Sequence, residues 1–406
     1  MREDNLNSFL KLGYFLDYQS DFHLDLSNLS KDRYAGWTET DLVEHGADLV
    51  RRIFAARFVP GKDIVVPVSG GLDSRAILAG LIELTSPQNI NTCTFGTPGT
   101  FDYELGNRVC RASGTRHVAF PLTEYRYTLA ELIDISRRID HQTFLFHHPP
   151  VHEADRRFQG ATVWSGFIGD FFVGSHLPQC PAPNLREAKS RFFEENRFVR
   201  SLDLSSLPDE ALFHLIEYSG RASDTLNVEE VLLIENRLGK NTAPHVLIRG
   251  HDYVTPFTDQ AWIDFTFSLP DRYRRGMYLW RRILPRAFPY LFSIGVKNNW
   301  GLPLNAGLAA RLSRRAWIRA RRRASRQFRR PWNPYLNYID FDAGIRERDD
   351  LRELVSKNVR ELLQRGLVSW IDAEKIWQDH MSGRGNHADA LVVLASLEIH
   401  LKAGVS

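Results

Sequence analysis

Cysteine is scarce in this chain: Cys93, Cys110 and Cys180 are the only three in 406 residues, and no CxxC pair occurs. That argues against a disulfide framework and a cysteine zinc site, and it fits a reducing cytosol. No stretch approaches the roughly 18 uninterrupted apolar residues of a membrane span. Met1-Arg2-Glu3-Asp4-Asn5 lacks an apolar signal core, so the expectation is a cytoplasmic protein. Internal repeats are lacking, as is any recognisable nucleic-acid-binding module, so no sequence-specific nucleic acid partner is expected. Net charge is only +3, and no global field selects a partner. What remains is ordinary globular composition, 43% hydrophobic and 25% charged, in a chain long enough for one elaborated domain or two.

Against that background one run stands out: Ser69-Gly70-Gly71-Leu72-Asp73-Ser74. It follows a strand-like stretch, Asp63 to Val68, and precedes a helix-like stretch, Arg75 to Ile82. A strand, a glycine turn and a helix N-terminus together form an anion site. The glycines let backbone N–H groups close on an oxyanion. Asp73 conflicts with a bound phosphate unless a cation lies between them, and Mg²⁺ resolves the conflict. The run is not a Walker A loop, because no Gly-Lys-Ser/Thr follows at the required spacing.

Strand and helix signals then alternate. Thr38 to Arg57 has helical spacing, Ile90 to Phe95 reads as a second strand, and Tyr103 to Ala112 as a helix ended near Gly114. His117 to Leu122, Leu129 to Ile139 and Ala161 to Ser165 read as strand, helix and strand. Such alternation implies a parallel sheet covered on both faces, with ligands outside the carboxyl ends of its strands. Helical spacing dominates from about residue 185 onward.

The hexapeptide resembles the pyrophosphate loop of the ATP pyrophosphatases, which cleave ATP between the α and β phosphates. Later segments extend the resemblance: Thr94 to Glu104, Ser165-Gly166-Phe167-Ile168-Gly169-Asp170, Pro256 to Asp259, Val296 to Pro303, and His380 to Arg384. In this order they resemble the synthetase domain of the asparagine synthetase family, together with its relatives that make β-lactams and close lasso peptides. The resemblance implies an α/β fold: a parallel sheet of the adenine nucleotide alpha-hydrolase-like (PP-loop) type with a largely helical C-terminal half. It implies a lead-in at residues 1–39 and one synthetase-like domain at 40–406, with the sheet core at about 60–180 and the helical part at about 185–406.

The same resemblance implies residue roles. Ser69, Gly70, Gly71 and Ser74 would hold the pyrophosphate part of ATP. Asp73 and Asp170 would hold Mg²⁺. The backbone around Thr94, Phe95, Gly96 and Gly166 would face adenine and ribose, and Asp102 would lie near the nucleotide. Lys297 would stabilise negative charge during adenylation. The implied activity is an AMP-forming carbon–nitrogen ligase that adenylates a small-molecule or peptide carboxylate and passes it to ammonia or an amine. An ammonia-using asparagine synthetase and a non-catalytic nucleotide-binding subunit are the alternatives.

Departures from the family pattern bear on the substrate. Residue 2 is Arg2, not the cysteine nucleophile that hydrolyses glutamine in asparagine synthetase, so free ammonia, another amine or a separate glutaminase is expected. Phe167 stands where relatives carry glutamate or tyrosine, and Phe cannot transfer a proton. Met277 replaces the usual lysine near the phosphates, while Arg281 matches the family's arginine. Asp252-Tyr253-Val254 replaces part of the aspartate-facing segment.

Two further features have bland and functional readings. His141, His147, His148 and His152 cluster with Glu153, but Pro149-Pro150 breaks the helix that a metalloprotease pair needs. The segment reads better as a loop lining the acceptor pocket, with a histidine available as the missing base. Arg311 to Arg330 contains ten arginines with Trp317, Ile318 and Phe328 between them. It reads as a solvated charged helix or as a peripheral contact with an anionic surface through Arg311, Arg314, Arg315, Arg319, Arg321, Arg322 and Arg323.

Overall fold

Five parallel strands order the molecule as β3-β2-β1-β4-β5. They are β1 (Ile64–Pro67), β2 (Ile90–Gly96), β3 (Arg116–Pro121), β4 (Thr162–Trp164) and β5 (Asp252–Val254). The computed structural model describes residues 1–222, 224–327 and 332–405. Phe328, Arg329 and Arg330 of the arginine run lie outside the described residues. The fold is α/β, and most of the remaining chain is helical. Among the described residues, no helix is long and apolar enough to cross a membrane.

Local sequence explains the elements around β1. Helix α1 (Glu3–Leu12) is followed by α2 (Glu39–Arg57). Thr38 caps α2 in a capping box with Asp41, worth about 1 kcal/mol. Helix α3 (Asp73–Leu84) runs back from the glycine loop, and α4 (Phe101–Ser113) connects β2 to β3. Gly114 ends α4 in the left-handed conformation that glycine adopts at no steric cost. Helix α5 (Leu129–Arg138) and the short α6 (Val151–Arg157) lie between β3 and β4.

Strand side chains alternate between two cores. Ile64, Val66, Val68 and Trp164 join the core built with α2, α3 and α7 (Trp280–Ala287). Val65, Cys93 and Phe120 face the other side. Beyond β3, a further core gathers α5, α9 (Asp349–Gln364) and the largely buried α10 (Ala388–Ala403). A third long helix, α8 (Leu308–Gln327), packs across α4 through Ile318, Phe101 and Leu105.

The lead-in contributes α1, whose Phe9 stacks on Phe15 and meets His400 of α10 edge-on at 5.6 Å, so it packs into the core. One feature differs from the sequence reading: the sheet takes its fifth strand from the part read as dominated by helical spacing. β5 pairs with β4 over only three residues, Thr162 to Trp164 against Asp252 to Val254, too short a run to show a strand period.

The strand order places a topological switch point at β1. Its neighbours β2 and β4 continue the sheet in opposite directions, so the loops after β1 and β4 diverge and leave a crevice at their carboxyl ends.

Candidate functional site

A cleft of about 400 Å³ opens at this switch point, lined among others by Ser69, Gly71, Asp73, Asp102, Asp170 and Lys297. Residues separated by more than two hundred positions in sequence thus share one cavity. Phe95 also lines it.

The glycine loop is built from its own side chains. Ser69 N–H donates to Ser74 Oγ at 3.1 Å, and Gly71 N–H donates to Ser69 Oγ at 3.2 Å. Gly70 has no room for a side chain, because a Cβ there would stand 2.5 Å from the Phe101 carbonyl oxygen. Its own carbonyl accepts the Lys297 N–H at 2.8 Å. Asp73 opens α3 and accepts a hydrogen bond from Trp280 Nε1 at 3.0 Å.

The loop after β4 presses against Asp73. A Cβ at Gly166 would lie 3.2 Å from Asp73 Cβ and Ser74 N, and one at Gly169 would lie 2.8 Å from Asp73 Cγ. Between them Ile168 adopts φ 51°. That left-handed backbone is costly for a β-branched residue, and such strain clusters at functional sites. The turn presents Asp170, which is exposed and accepts from Ser175 Oγ at 3.1 Å. Burial, and then the facing Asp170 charge, push Asp73 well above the usual carboxylate range. Neither carboxylate pairs with a lysine or arginine among the described residues. Two oxygen donors without a counter-charge suit a hard divalent cation such as Mg²⁺.

Lys297 sits on a tight turn in which Val296 N–H donates to Leu302 O at 3.0 Å and Gly301 N–H to Val296 O at 2.9 Å. Its ammonium pairs with Asp102 and donates to Asn337 Oδ1. A fully buried arginine supports the turn. Arg75 of α3 donates to Leu291 O at 3.3 Å, Ile294 O at 2.9 Å and Gly295 O at 2.9 Å. Burial draws the Arg75 guanidinium down to about 10.

Behind Phe95 lies a second, apolar chamber of about 210 Å³, sharing Pro67, Phe95 and Tyr338 with the cleft. His147, His148 and His245 line it. His147 stacks on Tyr338 at 4.3 Å, and His148 lies against His245 at 4.1 Å. Burial holds all three rings below the usual histidine range, so they are neutral at neutral pH. His148 Nε2 is buried without a hydrogen-bond partner.

Of the sequence-predicted residues, Ser69, Gly71, Asp73, Phe95, Asp102, Asp170 and Lys297 line the cleft, and Gly70, Ser74 and Gly166 lie in the two loops that border it. Gly96 is held at φ 149° beside Tyr103 and the Asn337 carbonyl. Met277 lines the cleft. The histidine segment divides: His148 lines the chamber, whereas His152 pairs with Asp134 away from it. Phe167 is buried in the core and meets Phe22 of the lead-in edge-on at 5.3 Å. Sequence reasoning missed Trp280, Asn298, Asn337 and Tyr338. The last two reach the site on a loop with no motif of its own, anchored by Thr97 Oγ1 donating to Tyr338 O at 2.5 Å.

No family model matches the chain, and no curated protein is similar to it in sequence.

Proposed function

We propose that this chain is an ATP- and Mg²⁺-dependent amide-forming ligase with a PP-loop fold of the adenine nucleotide alpha-hydrolase-like type. It adenylates a carboxylate, releases pyrophosphate, and transfers the acyl group to ammonia or an amine. The observation that carries the reading is the meeting of the glycine loop, two uncompensated carboxylates and Lys297 in one cleft.

Each residue has a physical task. The Ser69–Ser74 loop and the α3 N-terminus would hold the β and γ phosphates as the leaving group. Asp73 and Asp170 would hold Mg²⁺, which offsets triphosphate charge when bound. The apolar chamber behind Phe95 suits a purine, and His148 Nε2 offers its edge an unpaired polar atom. Lys297 would leave its Asp102 and Asn337 partners for the charge that builds at phosphorus and at the acyl carbon. Asp102 and Asn337 keep that ammonium at the cleft beforehand.

Proton removal from the amine falls to a group other than Phe167, which is turned into the core. An amine arriving neutral needs no base.

A second reading, a nucleotide-binding subunit without turnover, draws support from Met277 in the cleft and from Phe167. The two are separated by incubating the protein with ATP, Mg²⁺ and a panel of carboxylates, with hydroxylamine as the amine. Hydroxamate and AMP support the ligase. ATP binding without product from any carboxylate supports the subunit.

A further inference from the structure

Between Asp271 and Asp340 the chain contains no acidic residue, while arginine recurs throughout. Three of the six arginines before α8 find partners elsewhere: Arg274 with Glu230, Arg282 with Glu39 and Arg286 with Glu44. Those of α8 do not. Among the described residues, none of the seven arginines from Arg311 to Arg323 forms an ion pair. Their cationic surface is therefore uncompensated, in a chain whose net charge is only +3.

The helix is also amphipathic in an unusual direction. Its inner side carries Ile318, which is 4% exposed against Phe101 and Leu105. The centre of its outer side is small and uncharged: Ala309, Ser313, Ala316, Ala320 and Ala324 are all exposed. Helical geometry places Arg315, Arg319 and Arg323 along one border of that stripe, and Trp317 and Arg321 along the other. Leu308, Leu312 and Trp317 are 64%, 57% and 43% exposed. Arg314 and Arg321 lie over the Trp317 ring, at 4.4 Å and 5.3 Å from its centroid.

We infer that the outer face of α8 docks on an anionic phospholipid surface. A nucleic acid needs cations at the centre of the contact, where phosphates approach. Here the centre carries no charge and the cations border it. That suits a helix lying in a bilayer interface, with arginine heads reaching the phosphates while Leu308, Leu312 and Trp317, interspersed among them, reach the acyl boundary. The small number of large apolar groups makes the contact reversible and dependent on lipid charge. Arg314 Nε donates to Trp300 O at 3.1 Å, tying α8 to the turn that carries Lys297. Docking would hold the cleft beside the membrane.

The test is flotation of the full chain with phosphatidylcholine vesicles, with and without phosphatidylglycerol. The expected result is at least tenfold more bound protein with the anionic lipid. Arg319→Glu with Arg323→Glu should abolish that gain, and so should Leu312→Asp, each with unchanged far-UV circular dichroism. Lys357→Glu with Arg360→Glu makes the same charge change on α9 and should leave binding intact. Absence of binding to anionic vesicles overturns the inference. So does equal loss in the α9 variant, which would make net charge the cause. A Leu312→Asp protein that binds like the wild type would also overturn it, as would binding to single-stranded RNA without binding to vesicles.

Discussion

The backbone N–H of Lys297 donates to the carbonyl of Gly70 at 2.8 Å. The backbones of the lysine turn and the glycine loop are therefore tied to each other, which sets where the Lys297 side chain starts relative to the loop amides. Gly70 is wedged between that bond and the Phe101 carbonyl. Gly70→Ala would place a Cβ 2.5 Å from that carbonyl oxygen, costing about 1–3 kcal/mol of stability. ATP affinity should fall with it, since the loop must move. Thermal unfolding and isothermal titration measure the two effects. Wild-type values for both would show that the loop yields freely.

Arg75 is the second tie between the two parts. Its guanidinium serves three carbonyls of the Leu291–Gly295 segment without a carboxylate nearby. Arg75→Met leaves those carbonyls buried and unpaired, and should destabilise the fold by about 2–4 kcal/mol. Arg75→Lys should recover only part of the loss, because a single ammonium cannot match a planar fork of donors. Urea denaturation of the three proteins ranks them. Equal stability of the methionine variant and wild type would remove Arg75 from this role.

Much of this arrangement was legible in the sequence. Four of the five strands announce themselves by apolar runs bounded by turns, and Ser69 to Ser74 marks its own strand–loop–helix setting. Asp170 and Lys297 were found through segments whose order resembles a family. What could not be read depends on distance in the chain. β5 is three residues long, and Asn337 and Tyr338 carry no local pattern. Trp280 reads as an ordinary core residue until its indole N–H is seen on Asp73. Arg75, in the sequence an ordinary polar position of a helix, is completely buried. Phe167 looked like a lost base beside the cleft, and its burial against Phe22 was set by a lead-in with no strong signal.

Asp73 gives the apo protein a distinctive pH response. Burial and the Asp170 charge push its carboxyl up, to about 8 from an ordinary 3.8. The folded state then holds a proton that the unfolded state releases, so the Asp73 contribution is fully present below the ordinary carboxylate value. It is lost as pH rises through that interval. Between pH 6 and pH 8 the Tm of apo wild type should therefore fall relative to that of Asp73→Asn. Mg²⁺ should restore more of the Tm at pH 8, where the carboxylate is ionised. Parallel Tm curves for wild type and variant would contradict the assignment.

The two carboxylates should make nucleotide binding metal-dependent. Asp73→Asn and Asp170→Asn should each abolish turnover while the fold survives, and ATP affinity should collapse in EDTA. Isothermal titration with and without Mg²⁺ measures this. Equal affinity under both conditions would exclude the paired-carboxylate site.

Lys297→Ala should cost about 2–4 kcal/mol of transition-state stabilisation, a rate loss of roughly 10²–10³, with a smaller change in ATP affinity. The charge it opposes builds during bond exchange and not on bound ATP. Single-turnover rates with the carboxylate found in the hydroxamate screen provide the comparison. An undiminished rate would assign the role to another residue.

The most direct measurement of the central claim is the identity of the nucleotide product. The protein is incubated with ATP, Mg²⁺, hydroxylamine and the active carboxylate, and the products are resolved by chromatography. If the Ser69–Ser74 loop holds the β and γ phosphates as proposed, the α-phosphorus stays open to attack, and AMP and pyrophosphate should appear in equal amounts with the hydroxamate. ADP and phosphate would contradict the account.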